Sequence, residues 1–483
     1  MVGSVESAPR SDLAAAAVTV LTSSHLDEVV DLVAYASDDT IIVANASGSS
    51  RYGRGAPFDV VSVCGLDPLA NDDPLAFTPR AAEPVAPSSA ANAYPFGRER
   101  LASLFADPRA PDVVVVHTAG HYWPERGGHL GEHGSLDAVQ SRAPLLLSGA
   151  GVTARGVLDD VARVVDVGPT LARLAGAEMP GAEGRPLARY AEPGARHVVG
   201  LLWDGCNANS LVALALDGTL PNVARLLDRG CALRGGAVAE FPSVTLTNHT
   251  SALTGVGPGR HGILNNAFYD RALGQRVVPN DAAHWHAACD WLRPGVATLW
   301  EALPASLRTA CVNEPVDRGA GYSTFALVRE RGHPDGARGL GGELPSPHDD
   351  PYTTRAHVAR DPDYAWSTSV DALGLAQVLG LWSSPDTRPD VLWWNTTLTD
   401  TGHHAGGPHS DVAVAAMVDS DRRLGAFLDL VDALGLADDV AVLLTSDHGS
   451  EAASPDCRGD WDEALRAAGV PFRDEAYGFV YLG

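Results

Sequence analysis

Short apolar runs rich in Val, Leu and Ile recur along the whole chain, and each is followed by Gly, Asp or His. Stretches with helical spacing separate these runs. The alternation predicts an α/β fold in which a mostly parallel central sheet is sandwiched by helices. The predicted strands cover residues 113–116, 145–147, 198–202, 309–312, 391–394 and 440–444.

Charge and composition narrow the function. The chain of 483 residues has 35 Lys plus Arg against 60 Asp plus Glu, a net charge of −25, which argues against nucleic-acid polymers and membrane surfaces as partners. Every basic residue counted is arginine, so Schiff-base chemistry and a GK[ST] phosphate loop are excluded. The 6 cysteines are scattered, and the early apolar run is too short to span a bilayer. We expect a cytoplasmic protein.

Potential metal ligands follow several of the predicted strands. Ligands bind outside the carboxyl ends of strands in open α/β sheets, so these side chains are expected to lie close together. Carboxylates and imidazoles suit a divalent transition metal, with zinc the first choice and manganese possible, and this many ligands can hold more than one ion. The candidates after the strands are Asp204, Asp400, His403, His404, Asp447 and His448.

A candidate nucleophile lies in the segment FPSVTLTNH, directly before a short helical run that stops near Gly255. A hydroxyl at a helix N-terminus meets free backbone N–H groups and the positive end of the helix dipole, where a phosphoryl group binds well. Coordination to a metal lowers the pKa of such a hydroxyl enough to make it reactive. Thr245 is a candidate nucleophile, and the nearby hydroxyls of Ser243 and Thr247 are alternatives at this point.

Taken together, these motifs resemble the nucleotide pyrophosphatase/phosphodiesterase branch of the alkaline phosphatase superfamily. The resemblance implies an alkaline phosphatase-like α/β sandwich with two divalent metal ions, and Zn is the expected metal. It implies that Asn248 holds a phosphoryl oxygen, and that His404 rather than His403 is a ligand. The matching motifs are Asp204-Gly205, FPSVTLTNHTSALTG, GRHGI, Asp400 with His404 before Gly-Gly-Pro, and Ser446-Asp447-His448-Gly449.

The resemblance also implies how the ligands divide between the ions. One ion would be held by Asp204, Asp447 and His448 together with the nucleophile Thr245. The other would be held by Asp400, His404 and one further histidine. His117, His121 and His129 are expected to lie outside the ligand set.

The order of the motifs departs from the family. Relatives carry the last histidine after the Asp-His-Gly motif, yet the 34 residues that follow Gly449 contain no histidine. A matching Gly-Glu-His-Gly segment with His133 lies near the front of the chain instead, followed by APLLLSG and DVGPTL. The sequence therefore predicts a circularly permuted order, with His133 completing the second metal site and the two chain ends close together.

This interpretation divides the chain into two segments that form one catalytic core. Residues 1–190 would correspond to the C-terminal part of the family, and residues 197–483 to its N-terminal part. A smaller cap or lid is predicted as an insertion at about residues 265–388. No motif in that segment indicates its role.

The predicted function is hydrolysis of phosphodiesters or nucleotide pyrophosphates through a phosphothreonine intermediate at a two-metal site. A small phosphate ester is the expected partner, and the oligomeric state is left open. Two alternative enzymes are a phosphomonoesterase and a phosphonoacetate-type C–P hydrolase. A non-catalytic metal-binding family member is the remaining alternative.

Overall fold

The computed structural model describes residues 10–78, 92–122, 127–331 and 344–483. Its strands, in chain order, are β1 (Val30–Ser37), β2 (Thr40–Asn45), β3 (Gly48–Gly53), β4 (Val60–Gly65), β5 (Val113–His117), β6 (Gly131–Glu132), β7 (Arg142–Ala143), β8 (Leu145–Gly149), β9 (Gly156–Leu158), β10 (Ala162–Arg163), β11 (His197–Trp203), β12 (Gly230–Leu233), β13 (Ala237–Val238), β14 (Phe268–Asp270), β15 (Gln275–Val277), β16 (Thr309–Val312), β17 (Tyr322–Ser323), β18 (Val391–Thr396), β19 (Val440–Thr445), β20 (Glu451–Ala452), β21 (Phe472–Glu475) and β22 (Phe479–Leu482).

The α-helices are α1 (Arg10–Leu21), α2 (Gly97–Phe105), α3 (Ala138–Ser141), α4 (Val167–Leu174), α5 (Ala208–Leu216), α6 (Pro221–Asp228), α7 (Thr245–Thr254), α8 (Pro258–His261), α9 (Leu299–Ala302), α10 (Thr324–Arg331), α11 (Arg355–Val358), α12 (Pro362–Ser383), α13 (Leu398–Gly406), α14 (Asp411–Ala433) and α15 (Trp461–Ala467). Short 3-10 helices cover Val164–Asp166, Trp285–Trp291 and Ala476–Gly478.

An eight-stranded sheet forms the centre of the molecule, in the order β17-β16-β18-β11-β19-β8-β12-β9. The strands β17, β16, β18, β11 and β19 are parallel to one another, whereas β8 is antiparallel to both β19 and β12. The sheet is therefore mixed. Because β8 comes from the front of the chain and β11 and β19 from its second half, both halves build this sheet.

A second, seven-stranded sheet has the order β21-β22-β5-β1-β2-β3-β4, and every pair in it is antiparallel. The α/β class is confirmed, and the described central sheet is mixed with most of its pairings parallel. The expectation of a mostly parallel sheet does not extend to the second sheet, which is antiparallel. The predicted strand at 113–116 belongs to this second sheet. Smaller sheets pair β10-β13-β7, β14-β15 and β20-β6.

Helices cover both faces of the eight-stranded sheet. Apolar side chains of the sheet and of these helices fill the space between the sheet and the helices. One buried cluster joins this sheet to α4 and α7, and another joins it to α6, α12 and α14. Met417, Leu424 and Phe427 of the apolar stripe on α14 are buried in the second of these clusters, and the other stripe residues Val414, Val418 and Leu428 pack against it partly buried. The predicted role of this stripe as core is confirmed.

The predicted cap at about residues 265–388 is not confirmed. This segment supplies β16 and β17 of the eight-stranded sheet, and its longest helix, α12, packs against β18. The segment is thus partly integral to the central layer. The strand predicted at 309–312 is β16, so this apolar run had already indicated that part of the segment belongs to the sheet.

Within the described residues, no single helix is long and apolar enough to cross a membrane. The helices Ala208–Leu216 and Pro221–Asp228, which are bent relative to each other by 85°, reach the necessary length and apolar composition only when they are taken together.

Candidate active site

The first ligand cluster consists of Asp204, Asp447 and His448. β11 and β19 are parallel neighbours with Leu202 opposite Thr445, so the residues that follow the two strands meet at one sheet edge. His448 Nε2 lies 3.1 Å from Asp447 Oδ2 and 3.8 Å from Asp204 Oδ1. All three side chains are buried, and each offers a ligand atom within 4.8 Å of the others. The structure brings this predicted set together.

The second ligand cluster consists of His133, Asp400 and His404, whose ligand atoms also lie within 4.8 Å of one another. Asp400 and His404 lie one turn apart on α13, with His404 Nε2 3.3 Å from Asp400 Oδ2. His133 directly follows β6, which comes from the front of the chain. Its ring stacks on that of His448, with centroids 3.8 Å apart, so the two clusters adjoin.

The histidines of both clusters share one orientation. Nδ1 of His133 lies 3.1 Å from the carbonyl oxygen of Ser243, Nδ1 of His404 lies 2.7 Å from that of Gly131, and Nδ1 of His448 lies 2.8 Å from that of Gly449. A ring whose Nδ1–H donates to a carbonyl presents Nε2 as a lone-pair donor. This second layer of contacts is the usual one around metal-binding histidines.

Electrostatics indicate that the first cluster suits a cation. Burial raises the pKa of Asp204 well above its usual range, and the neighbouring carboxylates of Asp447 and Asp400 raise it further. Asp204 Oδ1 and Asp447 Oδ2 are buried and accept no hydrogen bond from the described residues. Converging buried carboxylates of this kind are unfavourable unless a cation compensates them, so the residues present fit a divalent ion.

In the second cluster, the neighbouring groups shift the pKa values of the two histidines in opposite directions. Burial disfavours the charged form of His404, but Asp400 outweighs it and raises the pKa of His404 to about 9. Burial and the neighbouring His448 lower the pKa of His133 well below its usual range. Two imidazoles and one carboxylate form a donor set that fits zinc.

The backbone and surroundings of residue 205 require the glycine that follows Asp204. Its φ is +61°, and a Cβ atom built on it would lie 2.1 Å from Asp400 Oδ1. Any side chain at this position would therefore displace Asp400 from the second cluster as well as strain the backbone. Gly205, next to Asp204 of the first cluster, thus allows Asp400 of the second cluster to lie close to it.

Thr245 is the first residue of α7, and its Oγ1 lies 3.5 Å from Nε2 of His448. The side chain is partly exposed, whereas Ser243 and Thr247 are fully buried. Ser243 Oγ donates to the carbonyl of Ser135, at 2.7 Å, and accepts from the amide of Gly134. The structure therefore presents Thr245, rather than either competing hydroxyl, beside the first cluster.

The prediction for Asn248 is at odds with the structure. Its side chain is fully buried, and Oδ1 accepts from the amide of Glu240 at 2.6 Å. Its Nδ2 donates to the carbonyls of Glu240, Pro242 and Val244. Both ends of the amide thus support the loop before α7, because the side chain turns back under that loop instead of towards Thr245.

His403 is separated from the ligand clusters by its orientation. Its Nδ1 lies 2.6 Å from the carbonyl oxygen of Thr399, and its Nε2 accepts from the amide of Asn207 at 3.3 Å. Burial lowers the pKa of His403 to about 4. His404, one residue further round the helix, is the histidine that meets Asp400.

Two further side chains at the site, His249 and Asn266, were not predicted from the sequence. His249 Nε2 lies 3.6 Å from Asp447 Oδ2 and 3.8 Å from Asp204 Oδ2, while its Nδ1 lies 2.8 Å from Oε2 of Glu314. Asn266 Oδ1 accepts from the amide of Leu246 at 3.1 Å, beside Thr245. The position of His249, four residues after Thr245 on the same helix, was a signal for the first; contacts across the fold reveal the second.

A pocket opens beside Thr245. One side has the apolar groups Leu246, Trp285, Phe325 and Val370, and the rings of Trp285 and Phe325 meet edge to face with centroids 6.3 Å apart. Carboxylate, imidazole, hydroxyl and amide side chains contribute the polar groups, and the described lining contains no arginine. The remaining lining residues are Asp204, His249, Asn280, Asn313, Pro315, Asn395 and Thr397.

Comparison with known proteins gives one family match. The model for type I phosphodiesterase / nucleotide pyrophosphatase matches residues 198–482, more than half of the chain. Ectonucleotide pyrophosphatase/phosphodiesterase family member 3 of Mus musculus is 24% identical over 243 residues, 49% of this chain and 23% of that protein. An uncharacterized pyrophosphatase/phosphodiesterase of Schizosaccharomyces pombe is 24% identical over 279 residues, 57% of this chain and 49% of that protein. The chain spans at most about half the length of these relatives.

Solved structures with similar regions include phosphonoacetate hydrolase from Sinorhizobium meliloti 1021 in complex with phosphonoformate. It is 26% identical, with a TM-score of 0.36, over 56% of this chain and 59% of that chain. Murine ectonucleotide pyrophosphatase / phosphodiesterase 5 is 16% identical, with a TM-score of 0.35, over 54% of this chain and 59% of that chain.

Proposed function

The chain belongs to the type I phosphodiesterase / nucleotide pyrophosphatase family, and we propose that it is a metal-dependent hydrolase of small phosphodiesters or nucleotide pyrophosphates. The observation that carries this proposal is the position of Thr245. Its hydroxyl lies 3.5 Å from His448 Nε2, at the first turn of α7 and next to a buried carboxylate cluster. A hydroxyl placed there can attack phosphorus while its developing charge is balanced.

We assign one divalent ion to each ligand cluster, with zinc preferred and manganese possible. Asp204, Asp447 and His448 would hold the first ion together with Thr245, and His133, Asp400 and His404 would hold the second. Bound ions would supply Lewis-acid charge stabilisation and lower the pKa of a coordinated hydroxyl or water. The orphaned oxygens of Asp204 and Asp447 support the first assignment.

In the proposed reaction the Thr245 oxygen attacks phosphorus in line with the leaving oxygen. The bond to the leaving group breaks, the Thr245 proton is lost, and the leaving oxygen is protonated on release. A water molecule then attacks the phosphothreonine, which restores the hydroxyl and releases the phosphate product. Asn266, which caps the amide of Leu246 beside Thr245, is suitably placed to support the phosphoryl group.

The pocket beside Thr245 favours diesters over monoesters. A dianionic monoester needs a cationic side chain near the nucleophile, and the described pocket lining has none. Its apolar wall of Leu246, Trp285 and Phe325 suits the uncharged second group of a diester. The same reasoning disfavours phosphonoacetate, whose carboxylate would also need a cationic partner.

Circular permutation is part of the proposal. The family match begins at residue 198, whereas His133 lies in front of it. The N-terminal helix α1 packs against β22 and α15, and its Leu21 shares a buried cluster with Leu482, so the two ends of the described chain are neighbours. A rearranged gene that joins these ends and opens the chain at about residue 195 is expected to give a folded, active protein. Loss of metal binding in a soluble rearranged chain would contradict the permutation.

A substrate panel tests the function. Metal-loaded protein is expected to turn over bis-p-nitrophenyl phosphate and a dinucleoside pyrophosphate well, and p-nitrophenyl phosphate and phosphonoacetate poorly. Preference for the monoester or for phosphonoacetate would favour the corresponding alternative enzyme. A metal-loaded protein that hydrolyses none of these compounds would support a non-catalytic family member.

A further inference from the structure

A third group of potential ligands lies beside the second cluster. His129, Glu132 and His404 each offer a ligand atom within 4.8 Å of the others. The rings of His129 and His404 have centroids 4.1 Å apart, and His129 Nδ1 lies 3.5 Å from Glu132 Oε1. His129 and Glu132 belong to neither of the two clusters assigned to catalysis.

Glu132 gives an independent sign that a cation binds here. The residue is 7% exposed, and its Oε1, which faces His129, is buried and accepts no hydrogen bond from the described residues. A buried carboxylate oxygen without a donor is costly, because the water it gave up on folding is not replaced. A bound cation would compensate this oxygen directly.

Negative charge is concentrated behind this oxygen. Glu132 in β6 is paired directly opposite Glu451 in the antiparallel β20, and Glu451 is 2% exposed. Gln140 Nε2 donates to Glu451 Oε2 at 2.9 Å, and the amide of Gly120 donates to the same oxygen at 3.4 Å. Like charges directly opposite in a ladder destabilise it, so the pair raises the affinity of the neighbourhood for a divalent ion.

We propose that His129, Glu132 and His404 form a third divalent-cation site, selective for zinc, and that an ion bound there inhibits catalysis by taking His404 from the second cluster. Two imidazoles and one carboxylate are a donor set that zinc accepts. The side chain of His129 is 39% exposed, so an ion can reach the site from solvent.

The inhibition follows from the orientation of His404. Its Nδ1 lies 2.7 Å from the carbonyl oxygen of Gly131, which leaves Nε2, 3.3 Å from Asp400 Oδ2, as the acceptor atom of the neutral ring. One lone pair coordinates one ion. When the third ion takes Nε2, the second ion retains only His133 and Asp400. The proposed binding of an ion at the third site does not depend on the proposed function, whereas the proposed inhibition rests on it.

Binding is tested on the metal-free full-length chain by zinc titration calorimetry, with bound zinc counted after dialysis. The wild type is expected to show a third, weaker binding event. His129→Ala and Glu132→Gln should weaken that event by at least about tenfold and leave the two tighter events unchanged. His25→Ala, which removes an exposed histidine elsewhere, is the matched control. A wild type without a third event, or a third event unchanged in both variants, would overturn the site.

Sharing of His404 is tested in two ways. His404→Ala should weaken both the second and the third binding events, and loss of the second alone would contradict sharing. Excess zinc should lower the activity of the wild type by about tenfold while His129→Ala and Glu132→Gln stay active. Equal inhibition of all three proteins would overturn the inhibitory role.

If the wild type is inactive with two zinc ions, the proposed function fails, and the calorimetry of the four variants still decides the third site. Thermal unfolding curves that match the wild type verify that each variant is folded.

Discussion

The two ligand clusters differ in how the chain builds them. Asp204, Asp447 and His448 follow two adjacent parallel strands and lie at most 8% exposed as side chains. The second cluster draws Asp400 and His404 from α13 and His133 from a segment more than 250 residues earlier, and its Asp400 side chain is 22% exposed. The first cluster is therefore held by the sheet itself, whereas the second depends on docking of the front segment. We expect changes at the first cluster to affect chemistry more strongly.

The largest effect is expected at Thr245. Thr245→Ala removes the proposed nucleophile, so kcat for bis-p-nitrophenyl phosphate should fall at least about 10³-fold while the zinc content is retained. Thr245→Ser keeps a hydroxyl and should recover a large part of the activity. Near-normal turnover by the alanine variant would remove Thr245 from the mechanism.

Asp447→Asn is expected to have the next largest effect, because it removes a buried charge from the first cluster. Zinc at that cluster should be lost and activity should fall about 10²-fold or more. Metal analysis should then find about one ion per chain. Retention of two tightly bound ions in the variant would show that the first cluster is wrongly assigned.

His133→Ala tests the second cluster and the contribution of the front segment. Asp400 and His404 remain in place, so we expect a partial loss of the second ion and a fall in activity of about 10- to 100-fold. Added zinc should restore part of this activity, in contrast to Asp447→Asn. If His133→Ala has wild-type zinc affinity and activity, the front segment does not complete the site.

The smallest effect on catalysis is expected at Asp31, which lies in β1 and supports the front segment. Asp31 Oδ2 accepts from the hydroxyl of Tyr94 at 2.5 Å and from Nδ2 of Asn92 at 3.2 Å. Burial raises the pKa of Asp31 from 3.8 to about 7, with Tyr94 opposing the shift and Asp137 adding to it. Between these two pH values the folded state keeps a proton that the unfolded state releases, so stability falls as the pH rises.

Asp31→Asn keeps an acceptor without the charge. We expect it to raise the free energy of unfolding by about 1–3 kcal/mol at pH 8 and to change it little at pH 4. Turnover at saturating zinc should equal that of the wild type. Chemical denaturation at both pH values measures the difference, and a variant less stable at pH 8 would contradict the assigned shift.

Much of the central sheet could be predicted because its strands are continuous apolar runs that end in polar motifs. All of the predicted strands are strands in the structure, and residues after β11 and β19 meet as their parallel pairing requires. The seven-stranded sheet was missed because its strands between residues 30 and 65 mix Ala, Ser and Gly with apolar residues. Its edge strand β4 is exposed along its whole length, so no alternation of buried and exposed residues marks it.

The sequence predicted which carboxylates and imidazoles the fold brings together, and it predicted less of the polar side chains that surround them. The Gly-Glu-His-Gly segment was sufficient to predict that His133 lies beside Asp400 and His404, because this motif can be recognised wherever it occurs in the chain. The same kind of reasoning failed for Asn248, since spacing along a helix does not determine whether a side chain turns towards the ligand or back under a loop. Asn266 lies beside Thr245 only through the fold, and the local sequence does not indicate that contact.

Anomalous X-ray diffraction at the zinc edge, on crystals of the zinc-loaded protein, tests the central claim most directly. At stoichiometric zinc we predict two strong peaks, one within coordination distance of Asp204, Asp447 and His448 and the other beside His133, Asp400 and His404. The peak at the first cluster should also lie next to the Thr245 hydroxyl. Peaks absent from both clusters, or zinc bound only elsewhere on the chain, would contradict the account.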